Sequence, residues 1–104
     1  MWAQLIKTQL KPGREGEDLA ALTGALRAAE QPGSGLLRST LMRDQSDPSR
    51  VYFMVVFESE DRARQREQDE RRSQALEGVR AMMADLFVGP PDFVDLVVEA
   101  EHSY

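Results

Sequence analysis

Arginine side chains are the densest group of chemically capable residues in this sequence. They form a run in the second half of the chain, at Arg62, Arg64, Arg66, Arg71, Arg72 and Arg80. Acidic residues such as Asp69 and Glu70 are interleaved with them, which is typical of a solvated helix surface held by ion pairs. Guanidinium groups that face inward would instead bind an anion. For Arg66 the two hypotheses are a contact with an anionic aromatic ligand and a surface pair with Asp69 or Glu70.

Other groups that could do chemistry are sparse. The chain has no cysteine, and its single histidine, His102, lies in the C-terminal tail. The glycine clusters Gly33-Ser34-Gly35 and Pro12-Gly13-Arg14 lack the spacing and the Lys-Ser/Thr sequence of a phosphate-binding loop. The acidic residues follow helix starts and exposed helix faces and indicate no carboxylate pair. We therefore predict no tightly bound metal, no flavin and no other cofactor.

Length and composition predict one soluble domain over residues 1–104, with residues 101–104 as a short tail. Hydrophobic residues make up 41% and charged residues 30% of the 104 residues, as in a globular domain. A net charge of −5 argues against a nucleic-acid partner, because phosphate backbones would be repelled. No apolar stretch is long enough for a signal sequence or a membrane span, so we expect no membrane partner. The absence of cysteine favours a cytoplasmic location.

The first half of the chain is predicted as strand, helix and hairpin. Residues 2–10 alternate in polarity and end at Pro12-Gly13, which predicts a strand and a turn. A helix is expected from Glu15 onward, with acids in its opening turn and apolar residues at Leu19, Leu22, Leu26 and Ala29. Residues 36–43 and 51–57 are strand-like and enclose a turn-forming segment, residues 44–49, which predicts a β-hairpin.

The second half is predicted as a broken helical region and a last strand. Ser59 is a capping residue for a helix to about Arg72, with a break near Asp69. An apolar stripe at Leu76, Val79, Met83 and Leu86 follows. Gly89-Pro90-Pro91 ends it before a strand at residues 93–100. The order β-α-β-β-α-β predicts an α+β fold of the ferredoxin-like class, in which an antiparallel sheet carries its helices on one face.

Both faces of the third strand are apolar. Val51, Phe53, Val55 and Phe57 point one way, and Tyr52, Met54 and Val56 point the other. Because the helices cover only one face of the sheet, we expect the other face to meet a second copy in a homodimer. The sequence does not decide which set faces the helices.

The chain resembles the antibiotic biosynthesis monooxygenase domain family over nearly its whole length. The resemblance rests on the element order, the Phe57-Glu58-Ser59-Glu60 passage from strand into helix, and the helix break at Asp69-Glu70-Arg71-Arg72-Ser73. It implies a dimeric α+β barrel with a pocket between sheet and helices in each protomer. It also implies oxidation of quinol-like or polyketide-like aromatic compounds by molecular oxygen, without metal or flavin.

The catalytic residues of the family are not matched. By that resemblance, the Asn, Trp, Tyr and Arg positions of the aromatic-polyketide oxygenases fall at Phe53, Phe57, Ala63 and Glu77. The Trp and His positions of the haem-degrading branch fall at Arg66 and Leu76. Two hypotheses follow: a cofactor-independent monooxygenase whose catalytic residues are unidentified, and a non-catalytic ligand-binding or dimerisation module of the same fold.

A ligand between sheet and helices would contact apolar walls and a few polar groups of the strands. The residues predicted to bind a small aromatic ligand are Arg66, Tyr52, Ser39, Arg38, Phe53 and Phe57. Arg66 would meet a phenolate or carboxylate, and Tyr52 or Ser39 would add a neutral hydrogen bond. Alternatively, these strand residues face solvent or a sheet edge, and the phenylalanines are plain core.

Overall fold

The computed structural model describes residues 1–104 as an α+β fold. The elements are β1 (Trp2–Gln9), α1 (Ala20–Ala29), β2 (Leu36–Arg43), β3 (Arg50–Phe57), α2 (Glu60–Glu67), α3 (Glu70–Ala75), α4 (Glu77–Leu86) and β4 (Asp92–Val97). The four strands form one antiparallel sheet in the order β2-β3-β1-β4. This arrangement confirms the predicted ferredoxin-like class. None of the helices is long and apolar enough to cross a membrane.

The strand register decides which face of the sheet carries the helices. Across β1 and β3, Phe53 lies opposite Ile6 and Tyr52 lies opposite Lys7. Phe53 is buried among helix residues, whereas Tyr52 points to the other side and is half-buried. The side of Tyr52 is called the open face here, and its apolar residues are Ala3, Leu5, Met42, Tyr52, Met54, Val56, Val94 and Leu96.

Two hydrophobic clusters fix the helices on the sheet. The larger one contains Leu10, Leu19, Leu22, Val51, Phe53, Val79, Leu86 and Phe87. The smaller one contains Trp2, Phe57 and Ala63. Aromatic pairs lie in both, with ring centroids 6.4 Å apart for Phe53 and Phe87 and 6.0 Å apart for Trp2 and Phe57. The helix side of the sheet is therefore filled at two places by packed side chains.

The first helix begins later than predicted, at Ala20 rather than near Glu15. The preceding residues form turns, in which Glu17 N–H donates to the Arg14 carbonyl at 3.0 Å. Asp18 then accepts from Ala20 N–H at 2.9 Å through its carboxylate. The acids therefore lie ahead of α1 and bond to turn and helix-start amides, a role that Asp takes readily because its short side chain reaches nearby N–H groups.

The helical region after β3 is broken where the sequence predicted it. Ser59 Oγ accepts from Arg62 N–H at 3.2 Å and caps α2. The chain leaves helical geometry at Asp69, whose carboxylate accepts from Arg71 N–H at 2.9 Å and starts α3. The break turns α3 relative to α2, so that residues on both helices approach the end of α1.

The last strand is shorter than predicted and ends at Val97 rather than Ala100. Val97 pairs with Trp2, the first residue of β1, so the residues that follow have no strand partner in this chain. They continue as a tail without regular structure, in which Glu101 forms an ion pair with Arg38. Because Arg38 belongs to β2, at the opposite edge of the sheet from β4, the tail spans the width of the sheet.

Candidate functional site

The best-defined polar arrangement on the helix side of the sheet is an ion pair between Arg66 and Glu30. Arg66 lies in the last turn of α2, and Glu30 directly follows α1. The Arg66 Nε atom lies 2.9 Å from one carboxylate oxygen of Glu30 and the Nη2 atom 2.7 Å from the other. Only 16% of the Arg66 side chain and 21% of the Glu30 side chain are exposed. Two parallel bonds of this kind fix the plane of the guanidinium group.

An aromatic ring supports the same guanidinium group. The Arg66 Cζ atom lies 5.2 Å from the ring centroid of Phe57, the buried last residue of β3. A guanidinium group at this distance is attracted by the negative face of the ring. Phe57 therefore positions Arg66 and excludes water from one side of it.

Arg72 adds a second positive charge that acts on Arg66, and it has no acidic partner of its own. Its side chain is half-buried on α3, and it forms no ion pair or side-chain hydrogen bond within the chain. Burial lowers the pKa of the Arg72 guanidinium below its ordinary value, and the charge of Arg66 lowers it further. Glu30 and Glu67 act against this shift. A desolvated cation with these neighbours favours the approach of an anion.

Glu30 is held as a carboxylate by the surrounding donors. Burial by itself would raise the pKa of Glu30. Hydrogen bonds from Arg66 and Ser34, together with the charges of Arg66 and Arg72, outweigh burial and hold this pKa below its ordinary value. Arg66, Arg72 and Glu30, named the arginine cluster here, therefore carry two positive charges and one negative charge.

A small polar pocket borders the arginine cluster. Its volume is about 150 Å³ and no hydrophobic side chain lines it. The lining residues are Pro32, Gly33, Ser34, Arg62, Gln65, Arg66, Asp69 and Arg71. A ligand in this pocket, the polar pocket, would contact Arg66 from the solvent side. Within the cluster, the excess positive charge suits a phenolate or a carboxylate.

A second, mostly apolar pocket lies away from the cluster, near the start of β4. Its volume is about 220 Å³ and it is lined by residues of β1, α4 and the following turn, among them Thr8, Met83 and Phe87. It contains none of the residues predicted to bind a ligand. No group of three or more His, Cys, Asp or Glu side chains is placed to hold a metal ion.

The predicted ligand-binding residues fall on both sides of the sheet. Arg66 and Phe57 are in contact. Ser39 lies on the helix side of β2, opposite Val55, but is exposed. Phe53 is buried in the larger hydrophobic cluster, with 9% of its surface exposed.

Tyr52 and Arg38 are not brought to this site. Both point to the open face of the sheet, so the helix-side ligand space and the Tyr52 hydroxyl are separated by the sheet. Arg66 does not pair with Asp69 or Glu70, since Asp69 is bound by Arg71 at 2.8 Å. The surface-pair hypothesis for Arg66 was wrong about its partner.

Sequence reasoning did not name Glu30, and it named Arg72 only as a member of the arginine run, although the helical spacing left a further signal for Arg72. Counting back four residues from Leu76 along the apolar stripe gives Arg72, a charged residue at a position where the spacing predicts an inward side chain. Glu30 left no such signal in the sequence, because it is a single acidic residue at a helix end before Gln31-Pro32. Only the packing of α1 beside α2 and α3 shows its partner.

A sequence model of the antibiotic biosynthesis monooxygenase family matches residues 1–78. The chain belongs to this family. The matched segment contains β1 to α3 and therefore every residue of the arginine cluster. No curated protein matches the chain.

Solved structures of the antibiotic biosynthesis monooxygenase fold are similar over the whole chain. A Bordetella bronchiseptica protein assigned to these monooxygenases has a TM-score of 0.73 at 22% identity and covers 95% of this chain and 97% of its own. One from Chloroflexus aurantiacus has a TM-score of 0.67 at 19% identity, covering 99% and 98%. A variant of MhuD with two manganese protoporphyrin IX molecules bound per active site has a TM-score of 0.79 at 16% identity, covering 100% of both chains. At these identities the likeness shows the fold.

Proposed function

We propose that this protein is a homodimeric monooxygenase that oxidises an electron-rich phenol or quinol with molecular oxygen and without metal or flavin. The observation that carries the proposal is the arginine cluster beside Phe57 in a chain of the antibiotic biosynthesis monooxygenase family. A phenolate transfers an electron to oxygen more readily than the neutral phenol does. Positive charges in a partly desolvated site lower the pKa of a bound phenol and so favour the phenolate.

The overall reaction balances without a further reductant. A hydroquinone and one oxygen molecule give a hydroxyquinone and one water molecule. The substrate supplies all four electrons, one oxygen atom forms a bond to a ring carbon, and the other leaves as water. In this reaction Arg66 and Arg72 bind the phenolate oxygen, and Phe57 supports Arg66 from behind. The phenol proton passes to solvent.

Oxygen consumption by the purified protein tests this function. A Clark electrode with a panel of hydroquinones, naphthohydroquinones and anthrones is expected to show uptake above the autoxidation rate of each compound. Mass spectrometry with ¹⁸O₂ is expected to place one labelled atom in the product. Uptake equal to the protein-free rate for the whole panel contradicts the proposal.

A non-catalytic ligand-binding module is the second candidate. It is favoured by the packing at the positions where the resemblance places catalytic groups: Phe53 and Ala63 are core residues with 9% and 3% of their surface exposed. Such side chains fill space that a reacting substrate would use. This candidate predicts saturable binding of an aromatic compound with no oxygen uptake.

The residues present do not fit haem ligation. MhuD binds manganese protoporphyrin IX in the neighbouring structure. In this chain the position that resembles the haem ligand of the haem-degrading branch is Leu76, which has no ligating atom. The only histidine, His102, is exposed in the tail. No step of the proposed reaction uses haem.

The homodimer in this proposal forms through the open face. Its central residues Leu5, Met54 and Val56 are apolar and half-buried in one protomer, and none of the helices covers them. Apolar surface of this extent is normally buried by association. We place the protein in the cytoplasm on the absence of cysteine.

A further inference from the structure

We propose that the mostly apolar pocket near the start of β4, called the apolar pocket here, is a further ligand site that binds a small aromatic monocarboxylate, with the carboxylate at Arg80. This pocket shares no residue with the arginine cluster or the polar pocket, and the proposal does not depend on the proposed oxidation. The observation that carries it is an apolar lining with a single charged side chain, Arg80, that has no acidic partner.

One side of α4 forms a wall of the apolar pocket. Arg80, Met83, Ala84 and Phe87 all line it, and their spacing of three, four and seven residues places them on the same side of the helix. Phe87 is fixed from behind, because it packs edge-on against Phe53 with ring centroids 6.4 Å apart. The wall is therefore already formed without a ligand.

The rest of the lining suits a flat apolar ring. It consists of the turn Val88-Gly89-Pro90-Pro91 and Thr8 of β1, whose hydroxyl already donates to the Val51 carbonyl at 2.8 Å. The thioether of Met83 and the edge of Phe87 make favourable contacts with an aromatic ring. The volume of about 220 Å³ is below the roughly 300 to 1,000 Å³ of pockets for drug-sized ligands, which favours a compound of one or two rings.

The donors left unused on this lining favour an anion. Arg80 donates from Nη1 to the Ser73 carbonyl at 3.2 Å and from Nη2 to Ser73 Oγ at 3.5 Å, and its other N–H groups have no acceptor in the chain. The Gly89 amide N–H also has no acceptor in the chain. Because no acidic side chain lines the pocket, one carboxylate would balance the charge of Arg80.

The acids nearest to the pocket in sequence do not oppose this charge. Asp85 is paired with Arg14 at 2.9 Å. Asp92 lies opposite Lys7 of β1 and points to the open face, on the other side of the sheet from α4. The positive charge of Arg80 is therefore the charge that a ligand in the apolar pocket meets.

Calorimetric titration with 2-naphthoate and its neutral isostere 2-naphthamide tests the charge preference. We expect the wild type to bind the acid at least about threefold more tightly than the amide, a modest factor because Arg80 is exposed. Arg80→Gln should remove this preference and leave the affinity for the amide unchanged. Equal affinities of the wild type for the two compounds would overturn the proposal.

Arg27→Gln is the control for general electrostatics. Arg27 is exposed on α1, forms no ion pair and lines neither the apolar nor the polar pocket, so its removal changes the net charge by the same amount. This variant should keep the wild-type preference for 2-naphthoate. If it loses as much affinity for the acid as Arg80→Gln does, the proposal is wrong.

Filling the pocket tests the place of the ring. Ala84→Leu puts a larger apolar side chain into the lining and should weaken binding of both the acid and the amide by about tenfold or more, because the ring and the added atoms compete for one space. Ala81→Leu is the matched control, since Ala81 is also exposed on α4 but does not line the pocket. Equal affinities of the two leucine variants would contradict the proposed site.

Amide chemical shifts of the wild type during the same titration show which pocket is occupied. The shifts of Val88 and Gly89 should change most, whereas those of Gly33 and Gln65 in the polar pocket should stay constant. Changes centred on Gly33 and Gln65 would place the acid beside Arg66 and overturn the proposal. Oxygen uptake with quinols does not enter this measurement, so the proposed oxidation and the apolar pocket can fail separately.

Discussion

Burying the Arg66–Glu30 ion pair costs free energy, yet the folded protein needs both partners once they are buried. Removing two charges from water carries a large desolvation penalty, which two aligned hydrogen bonds and the Phe57 ring offset. The pair therefore adds little net stability compared with a well-packed apolar pair. Breaking it is different, because one charge then stays behind without its partner.

Arg66→Gln should therefore destabilise the fold by about 2 kcal/mol, less than for a fully buried pair because about a fifth of the Glu30 side chain meets solvent. Urea denaturation followed by circular dichroism measures the change. Arg50→Gln is the control, since Arg50 forms an exposed pair with Asp47 at 3.3 Å and should cost no more than about 0.5 kcal/mol. Equal losses in the two variants would show that Arg66 behaves as a surface residue.

Glu30 makes the stability depend on pH in a defined direction. Its pKa is lower in the folded than in the unfolded protein, so its contribution is fully present above the unfolded pKa. The contribution is lost as the pH falls through the lower, folded pKa. The difference in unfolding free energy between wild type and Glu30→Gln should therefore shrink on acidification. A difference that stays constant from neutral to acidic pH would contradict this, whatever the other carboxylates contribute to both proteins.

Sequence reasoning reached Arg66 but not its environment. Helical spacing and the resemblance indicated this position, because both act within a few residues of it. The partner, Glu30, is 36 residues away in sequence, and the pairing depends on how α1 meets α2. Single-residue patterns carry no such long-range information. The same limit applies to Tyr52 and Phe53. Their alternation along β3 was visible in the sequence, but the sequence did not show which of the two side chains points toward the helices.

At the scale of elements, local signals predicted the capped and broken helices well. Ser59 and Asp69 act through bonds to amides two or three residues away, and both positions are correct in the structure. Errors arose where tertiary partners decide the boundary. The last strand stops at Val97, which pairs with Trp2, the first residue of β1, and only the bond from Val98 N–H to the Met1 carbonyl lies beyond this pair.

The loop from α1 to β2 contains a close approach that only glycine permits. Gly35 has φ +83°, and a Cβ atom there would lie 2.7 Å from the Cβ atom of Arg62 on α2. Gly33 has φ +74° but open space around it. Gly33→Ala should cost about 1 kcal/mol from the left-handed backbone alone, and Gly35→Ala about 2 to 3 kcal/mol because α2 must also shift.

Thermal and urea unfolding of the two alanine variants measure this difference. Because the polar pocket is lined by Gly33 and Arg62, a shift of α2 in Gly35→Ala should also change the shape of this pocket. Equal destabilisation of the two variants would mean that the loop, not the helix, absorbs the added methyl group.

At the scale of the whole molecule, the two faces of one sheet have different roles. The helix side contains both hydrophobic clusters and the arginine cluster. The open face holds apolar residues that no helix covers, and the tail reaches across to Arg38. The core and the candidate site therefore lie on the same side of the sheet, and the apolar residues of the open face remain uncovered by helices.

Substitutions at two adjacent residues of β3 test dimer formation and folding separately. Met54 is half-buried at the centre of the open face, opposite Leu5, whereas Phe53 points into the larger hydrophobic cluster. Met54→Asp should give a folded monomer, because the carboxylate reaches water in one protomer but would be buried without a partner in a dimer. Phe53→Asp should unfold the chain, since the same charge then enters the core. Light scattering and circular dichroism at micromolar concentration distinguish these outcomes. A wild-type monomer, or a Met54→Asp protein that remains dimeric, would place the interface elsewhere and remove the open face from the proposed function.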